Sequence, residues 1–174
     1  MTTDNGPAPF STARLDALPL RVAYAEEMAA VLADPALHVF TGGAPEHPDA
    51  LRARYERQTA GSPDPDERWW NWVLRVRDED RLAGYVQATV DVAGARAEIA
   101  WVIGTGWQGR GYAKEAAAGL VAHLLDGGGE AVVRTVVAHI HPDHAASAAV
   151  AASLGLVRTG EWEDGEERWR PAGR

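Results

Sequence analysis

The chain has 174 residues and a formal net charge of -8, with 25 acidic against 17 basic residues and no cysteine. This length suits one domain with a single core, the acidic balance argues against a nucleic-acid partner held through phosphates, and the lack of cysteine excludes disulfides, thiolate catalysis and cysteine metal sites. The negative charge either keeps the protein soluble or mildly favours cationic ligands.

Residues 1–10 carry Gly6, Pro7 and Pro9 with little to bury, so they are expected to form a flexible tail, with one domain over 11–174. The opening residues lack a basic patch followed by an apolar run, and no apolar stretch reaches membrane-spanning length. Together with the absent cysteines, this gives the expectation of a cytoplasmic protein. "RLDALPLRVAY" reads as a strand, and "AEEMAAVLAD" as a helix with Met28, Val31 and Leu32 at helical spacing, closed by Pro35. "HVFTGGAPEHP" is a loop in which Gly42 and Gly43 allow motion or ordinary flexibility. "DALRARYERQT" is a second helix starting near Pro48 and Asp49, and "GSPDPDE" is a connector.

From Arg68 the pattern becomes strands: "WWNWVLRVR", "RLAGYVQATVDV" and "AEIAWVI" form an antiparallel meander. Alternation puts Trp70 and Trp72 on one face and Trp69 on the other. A helix follows over Tyr112–Leu125, with Ala113, Ala116, Ala117, Leu120, Val121 and Leu124 on one stripe, ending in "DGGG". Then come the strand "AVVRTVVAHI", the helix "HAASAAVAASL" stopping at Gly155, the strand "LVRTGEWE", a turn at Asp164-Gly165 and the strand "EERWR". This order predicts an α/β fold with a mixed sheet of about seven strands and helices on both faces.

The glycine-spaced turn before the Tyr112 helix stands out. A helix start presents unpaired N–H groups and a positive dipole end, so Gln108, Gly109, Arg110, Gly111, Tyr112 and Ala113 can wrap an anion, with Arg110 and Lys114 adding positive charge. A simple tight turn is the alternative. The P-loop pattern is missing its Gly-Lys-Ser/Thr ending, and a dinucleotide fingerprint does not fit a turn that follows an antiparallel meander.

The hexapeptide Gln108-Gly109-Arg110-Gly111-Tyr112-Ala113 resembles the Q/R-x-x-G-x-G/A signature of the GNAT N-acetyltransferases, which binds the pyrophosphate of acetyl-CoA. "AEIAWVIGTGWQGRGYAKEA" and "HPDHAASAAVAASLGL" are similar to the subgroup of ribosomal-protein N-terminal alanine acetyltransferases, and the element order agrees over residues 12–170. The resemblance implies the GNAT acyl-CoA N-acyltransferase fold, acetyl-CoA as cosubstrate, and no metal. It also implies that the strand edge at Trp101, Val102 and Ile103 pairs with the pantetheine arm, with the Val102 N–H polarising the thioester carbonyl.

Period-two alternation puts Glu98, Ala100 and Val102 on one strand face. Glu98 matches the strand position at which some of these enzymes hold a general base, acting directly or through water; otherwise it fixes an arginine or faces solvent. The tyrosine that many members place four residues before the last helix's glycine is Ala151 here; Ser147 stands where the alanine-acetylase subgroup places a serine near the sulfur, so the resemblance gives it the donor or thiolate-stabilising role, the alternative being a helix-surface serine. His144 stands where an asparagine usually contacts the pantetheine arm. His139 and His141 share a strand face, but the third histidine lies across Pro142 and no carboxylate spacing supports zinc, so they are taken as structural.

The expected function is an acetyl-CoA-dependent N-acetyltransferase acting on a primary amine by direct attack in a ternary complex. The acceptor is a protein or peptide N-terminus or a small amine, with no nucleic-acid or membrane partner, and the protein is a monomer or homodimer. The rival is a non-catalytic acyl-CoA-binding sensor that keeps the cradle alone.

Overall fold

Alternating apolar side chains make the centre of the chain a meander, and longer-period apolar stripes make its flanks helical. The structure, a computed structural model, describes residues 6–173. Its strands are β1 (Phe10–Ser11), β2 (Leu15–Pro19), β3 (Glu67–Val76), β4 (Arg81–Asp91), β5 (Arg96–Ile103), β6 (Thr135–Ile140), β7 (Leu156–Glu163) and β8 (Glu166–Pro171). Its helices are α1 (Ala25–Val31), α2 (Pro48–Ala60), α3 (Tyr112–Leu125) and α4 (Ala145–Ser153). The strands form an 8-stranded sheet in the order β1-β2-β3-β4-β5-β6-β8-β7. Every neighbouring pair is antiparallel except β5 and β6.

Helices cover both faces, as expected. Trp70 and Trp72 are buried on one face with Ala116, Leu120 and Leu124 of α3 and Ala151 of α4. On the other face Met28 of α1 and Leu51 and Tyr55 of α2 pack on Val73 and Leu82. Proline at the first position and Asp49 in the first turn start α2 where the sequence indicates.

The sheet has one strand more than the seven expected, and the extra strand comes from the supposed tail. Residues 1–5 of that tail lie outside the described residues. From Ala8 onward the segment is attached: the Ala8 carbonyl accepts from Trp72 Nε1 at 2.9 Å, Phe10 pairs with Ala17, and its ring meets Trp72 edge-on and stacks on His123. The buried Trp72 indole needs an acceptor for its N–H, and the chain start supplies it.

Asp16 of β2 ties this edge to β3. Its carboxylate accepts from Arg75 at 2.9 Å, Arg77 at 3.0 Å and Ser11 Oγ at 2.8 Å. The bond from Arg75, then that from Ser11, draws its carboxyl down to about 2 against an ordinary 3.8. This lowered value stabilises the folded chain fully above the unfolded carboxyl's range, and the contribution is lost as pH falls through the folded value. Asp16→Asn is therefore expected to cost about 1 kcal/mol near neutrality and about 2–4 °C in Tm. Thermal melts at stepped pH should show this difference shrinking as pH drops from about 4 towards 2.

Candidate active site

Strands β5 and β6 pair in parallel only where Arg96–Glu98 meet Thr135–Val137. Beyond Glu98, β5 stays with β4 as far as Ile103, while Ala138–Ile140 of β6 turn to β8. The sheet thus opens in a V, with Glu98 at its apex.

Successive residues of an antiparallel strand direct their N–H and C=O groups alternately to the two sides. Gly104 N–H donates to the Ala83 carbonyl of the β4 end at 2.7 Å, and the Ala95 carbonyl accepts from Arg134 on the β6 side at 2.7 Å. The even-numbered residues of β5 therefore address β4. Val102 sends its N–H into the β4 ladder, and Trp101 and Ile103 send theirs into the opening. The carbonyl-polarising role expected of Val102 is corrected on this point: the register spends its N–H within the sheet.

The open edge of β5 runs into the glycine turn. Gly109 and Gly111 hold φ of 78° and 83°, a conformation that costs other L-residues energy, and Gly111 caps α3 without a side-chain bond. Glu115 N is the first α3 amide bonded back, to the Gly111 carbonyl at 3.1 Å. Among the described residues the amides from Gly109 to Lys114 have no protein acceptor, which fits a bound anion.

Side chains of the turn divide unevenly around it. Gln108 folds back, donating from Nε2 to the Ile103 carbonyl at 3.0 Å, so it braces the strand end. Tyr112 is buried beneath the Arg14 guanidinium, leaving only its backbone and that of Ala113 for a ligand. Arg110 departs from expectation. Its guanidinium pairs with Glu79 at 2.9 Å, and Trp107 Nε1 donates to the same carboxylate at 2.9 Å, so the side chain is held at the β3–β4 turn. Lys114 is exposed and has no ion pair among the described residues.

At the apex Glu98 is half-exposed and does not stand alone. His139 Nδ1 lies 2.8 Å from Glu98 Oε1, and His139 Nε2 lies 3.4 Å from Glu163 Oε2 of β7. Because a carboxylate only accepts, the Nδ1 proton points at Glu98. The His139 side chain is 11% exposed against 50% for Glu98, so a shielded ring holds a solvent-accessible carboxylate. Burial pushes the carboxyl of neighbouring Glu166 upward; His139 counters this and the Glu98 charge adds to it. His139, expected to be structural once the spacing gave no support for zinc, contacts Glu98 across 41 residues of sequence, and the parallel β5–β6 register makes them neighbours.

The start of α4 brings a second group to the opening. Ser147 Oγ is 3.3 Å from His144 Nε2, and the Phe40 ring stacks on His144 at 4.5 Å and leans on His141 at 5.2 Å. Burial lowers the pKa of His144 and nearby His141 adds to this, favouring a neutral ring beside Ser147. Phe40 belongs to the loop "HVFTGGAPEHP", which the resemblance places at part of the family's acceptor site and in which Gly42 and Gly43, not this ring, drew attention. Ala151 is buried in the core. Among the described residues no group of three histidine, aspartate or glutamate side chains is arranged to hold a metal ion.

Comparison with known proteins places the chain in a family and its fold among solved structures. The family model described as the acetyltransferase (GNAT) domain matches residues 14–157. An acetyltransferase of the GNAT family from Bacillus anthracis superimposes with a TM-score of 0.76 at 16% identity, covering 93% of this chain and 95% of that one. RimL, a ribosomal-protein alpha-N-acetyltransferase solved with coenzyme A, gives 0.74 at 15% identity over 91% and 94% of the two chains. The microcin self-immunity acetyltransferase MccE, solved with acetyl-CoA and AMP, gives 0.73 at 18% identity over 96% and 97%. No curated protein sequence matches the chain.

Proposed function

Since the chain belongs to the acetyltransferase (GNAT) domain family, we propose that it transfers an acetyl group from acetyl-CoA to a primary amine, which attacks the thioester directly in a ternary complex. The observation that carries this proposal is the V between β5 and β6, whose open edge leads to the unbonded amides of Gly109–Lys114 and whose apex holds Glu98. An extended arm lying along that edge would place its pyrophosphate at the α3 start and its thioester near Glu98.

The residues divide the work. Backbone amides from Gly109 to Lys114, assisted by the Lys114 ammonium, would take the pyrophosphate. N–H groups of Trp101 and Ile103 would hold the arm, Trp101 polarising the carbonyl at which negative charge develops. Glu98, oriented by His139, would accept the amine proton directly or through water. The chain has no cysteine to carry an acetyl group, which favours direct attack. Ser147 would stabilise the departing thiolate by a hydrogen bond from its hydroxyl, which keeps its proton, with the neutral His144 ring as its other hydrogen-bond partner, and solvent water would protonate the released thiolate. Ser147→Ala is expected to lower kcat about 10–100-fold with CoA affinity unchanged, read by steady-state thiol release alongside calorimetry.

The acceptor is proposed to be a small amine or a protein N-terminus, the latter by analogy with RimL. The test is thiol release from acetyl-CoA across amines and short peptides, with CoA binding followed in parallel. Turnover with an amine class supports the enzyme. Tight CoA binding with no turnover of any amine would make the chain an acyl-CoA-binding module and sink the proposal.

A further inference from the structure

On the α2 side of the sheet a cavity of about 300 Å³ lies between that helix and strands β3 and β4. Arg54 and Arg57 line it from α2, Trp69 and Asn71 from β3, and Gln87 and Thr89 from β4, with no acidic residue in the lining. Arg54 is engaged by Glu46 at 2.5 Å, whereas Arg57 has no ion-pair partner among the described residues. A wall of the cavity is held in place: Trp69 Nε1 donates to Glu67 Oε1 at 2.6 Å, and Ser62 Oγ donates to the same oxygen at 3.0 Å.

Strand register relates this cavity to the proposed base. Trp69 pairs with Thr89, and Thr89 pairs with Glu98, so the three occupy one row across β3, β4 and β5. Directly paired residues point to the same side of a sheet, and neighbouring strands are about 4.8 Å apart. The strand floor of the cavity therefore starts one strand away from Glu98 and extends over two, and its positive charge comes from Arg54 and Arg57 of α2. The surface is polarised, with carboxylates Glu98 and Glu163 around His139 at one end and an unpaired guanidinium at the other.

Resting on the acetyl-transfer function proposed above, we infer that the acceptor is an amine bearing a carboxylate at its far end, held by Arg57 while its nitrogen faces Glu98. A planar guanidinium matches a carboxylate with two parallel hydrogen bonds. The Asn71 and Gln87 amides supply further donors, and the Trp69 ring packs against intervening methylenes. The Trp69–Thr89–Glu98 row spans two strand spacings, about 10 Å, so a ligand reaching from Glu98 into the cavity needs a spacer of several methylenes. This local field opposes the weak preference for cations that the net charge of -8 suggests, because screening within about 8–10 Å leaves a ligand responding to nearby charges.

The test uses unbranched ω-amino carboxylates of increasing length, each matched to the ω-amino amide and the diamine of the same length, in the thiol-release assay. At the best length the carboxylate is expected to exceed the diamine in kcat/KM by about tenfold or more. Arg57→Ala should remove most of this preference by raising KM for the carboxylates, and Arg57→Lys should keep part of it. Amides or diamines used as well as carboxylates, or a preference untouched by Arg57→Ala, would overturn the inference while leaving acetyl transfer intact. Calorimetric titration of 6-aminohexanoate into the CoA-saturated protein separates the two proposals. Binding weakened about tenfold by Arg57→Ala sustains the carboxylate site even where nothing is acetylated, and absence of binding overturns it.

Discussion

Glu98→Gln is expected to lower kcat for amine acetylation by about 10²–10³-fold, with the dissociation constant for CoA unchanged. The amide keeps the size of the carboxylate and can still accept from His139 Nδ1 at the observed 2.8 Å, so local packing survives. It cannot take a proton from an ammonium or from a water relaying one. The lost step belongs to the reaction and not to cosubstrate binding, so kcat and kcat/KM should fall together. His139→Gln should produce a smaller loss, because it leaves the carboxylate in place but frees it to rotate. The double variant Glu98→Gln/His139→Gln should be little worse than Glu98→Gln alone, since residues acting as one unit do not contribute additively. Full multiplicative losses in this cycle, measured by initial rates, would show that His139 acts independently of Glu98.

The second large effect is expected at the α3 start. Gly111→Ala places a side chain on a residue with φ of 83°, where the left-handed conformation costs about 1–2 kcal/mol. Crowding is not the cause, because the nearest atom to an added Cβ would be Arg14 Nη2 at 3.4 Å. The chain must either bear the strain or let Gly111 rotate and disperse the amides of Arg110 to Ala113. Affinity for CoA is then expected to fall about tenfold or more, with Tm lowered by about 2–8 °C for 1–2 kcal/mol in a chain of this size. Gly106→Ala is the control: space around it is open and its φ is not left-handed. Calorimetry with CoA and a thermal melt on both variants decide the matter. Equal affinities would mean that the turn's geometry does not hold the pyrophosphate.

Much of this was legible from residue order alone. The span of α3 over Tyr112–Leu125 and that of β7 over Leu156–Glu163 agree with the sequence residue by residue, because local signals bound both: glycines flank the helix, and Gly155 and Asp164-Gly165 flank the strand. The place of Trp70 and Trp72 on one buried face followed from strand alternation in the same way. The attachment of Ala8 and Phe10 was not legible, since a short segment with two prolines carries little pattern until the Trp72 indole it satisfies is in position.

By itself, the sequence determined the order of elements, the glycine turn ahead of α3, the face on which Glu98 lies and the membership that the turn's signature implied, all of which depend on spacings within a few residues. Only the tertiary structure decided which strand edge opens, and therefore that Trp101 and Ile103, not Val102, present their N–H groups to it. It also decided that His139 holds Glu98, that Glu79 holds Arg110 and that Arg57 lines a cavity whose floor begins one strand from Glu98. Those pairings join residues distant in the chain. They are set by strand register and by competition among charged side chains for partners, which no local pattern encodes.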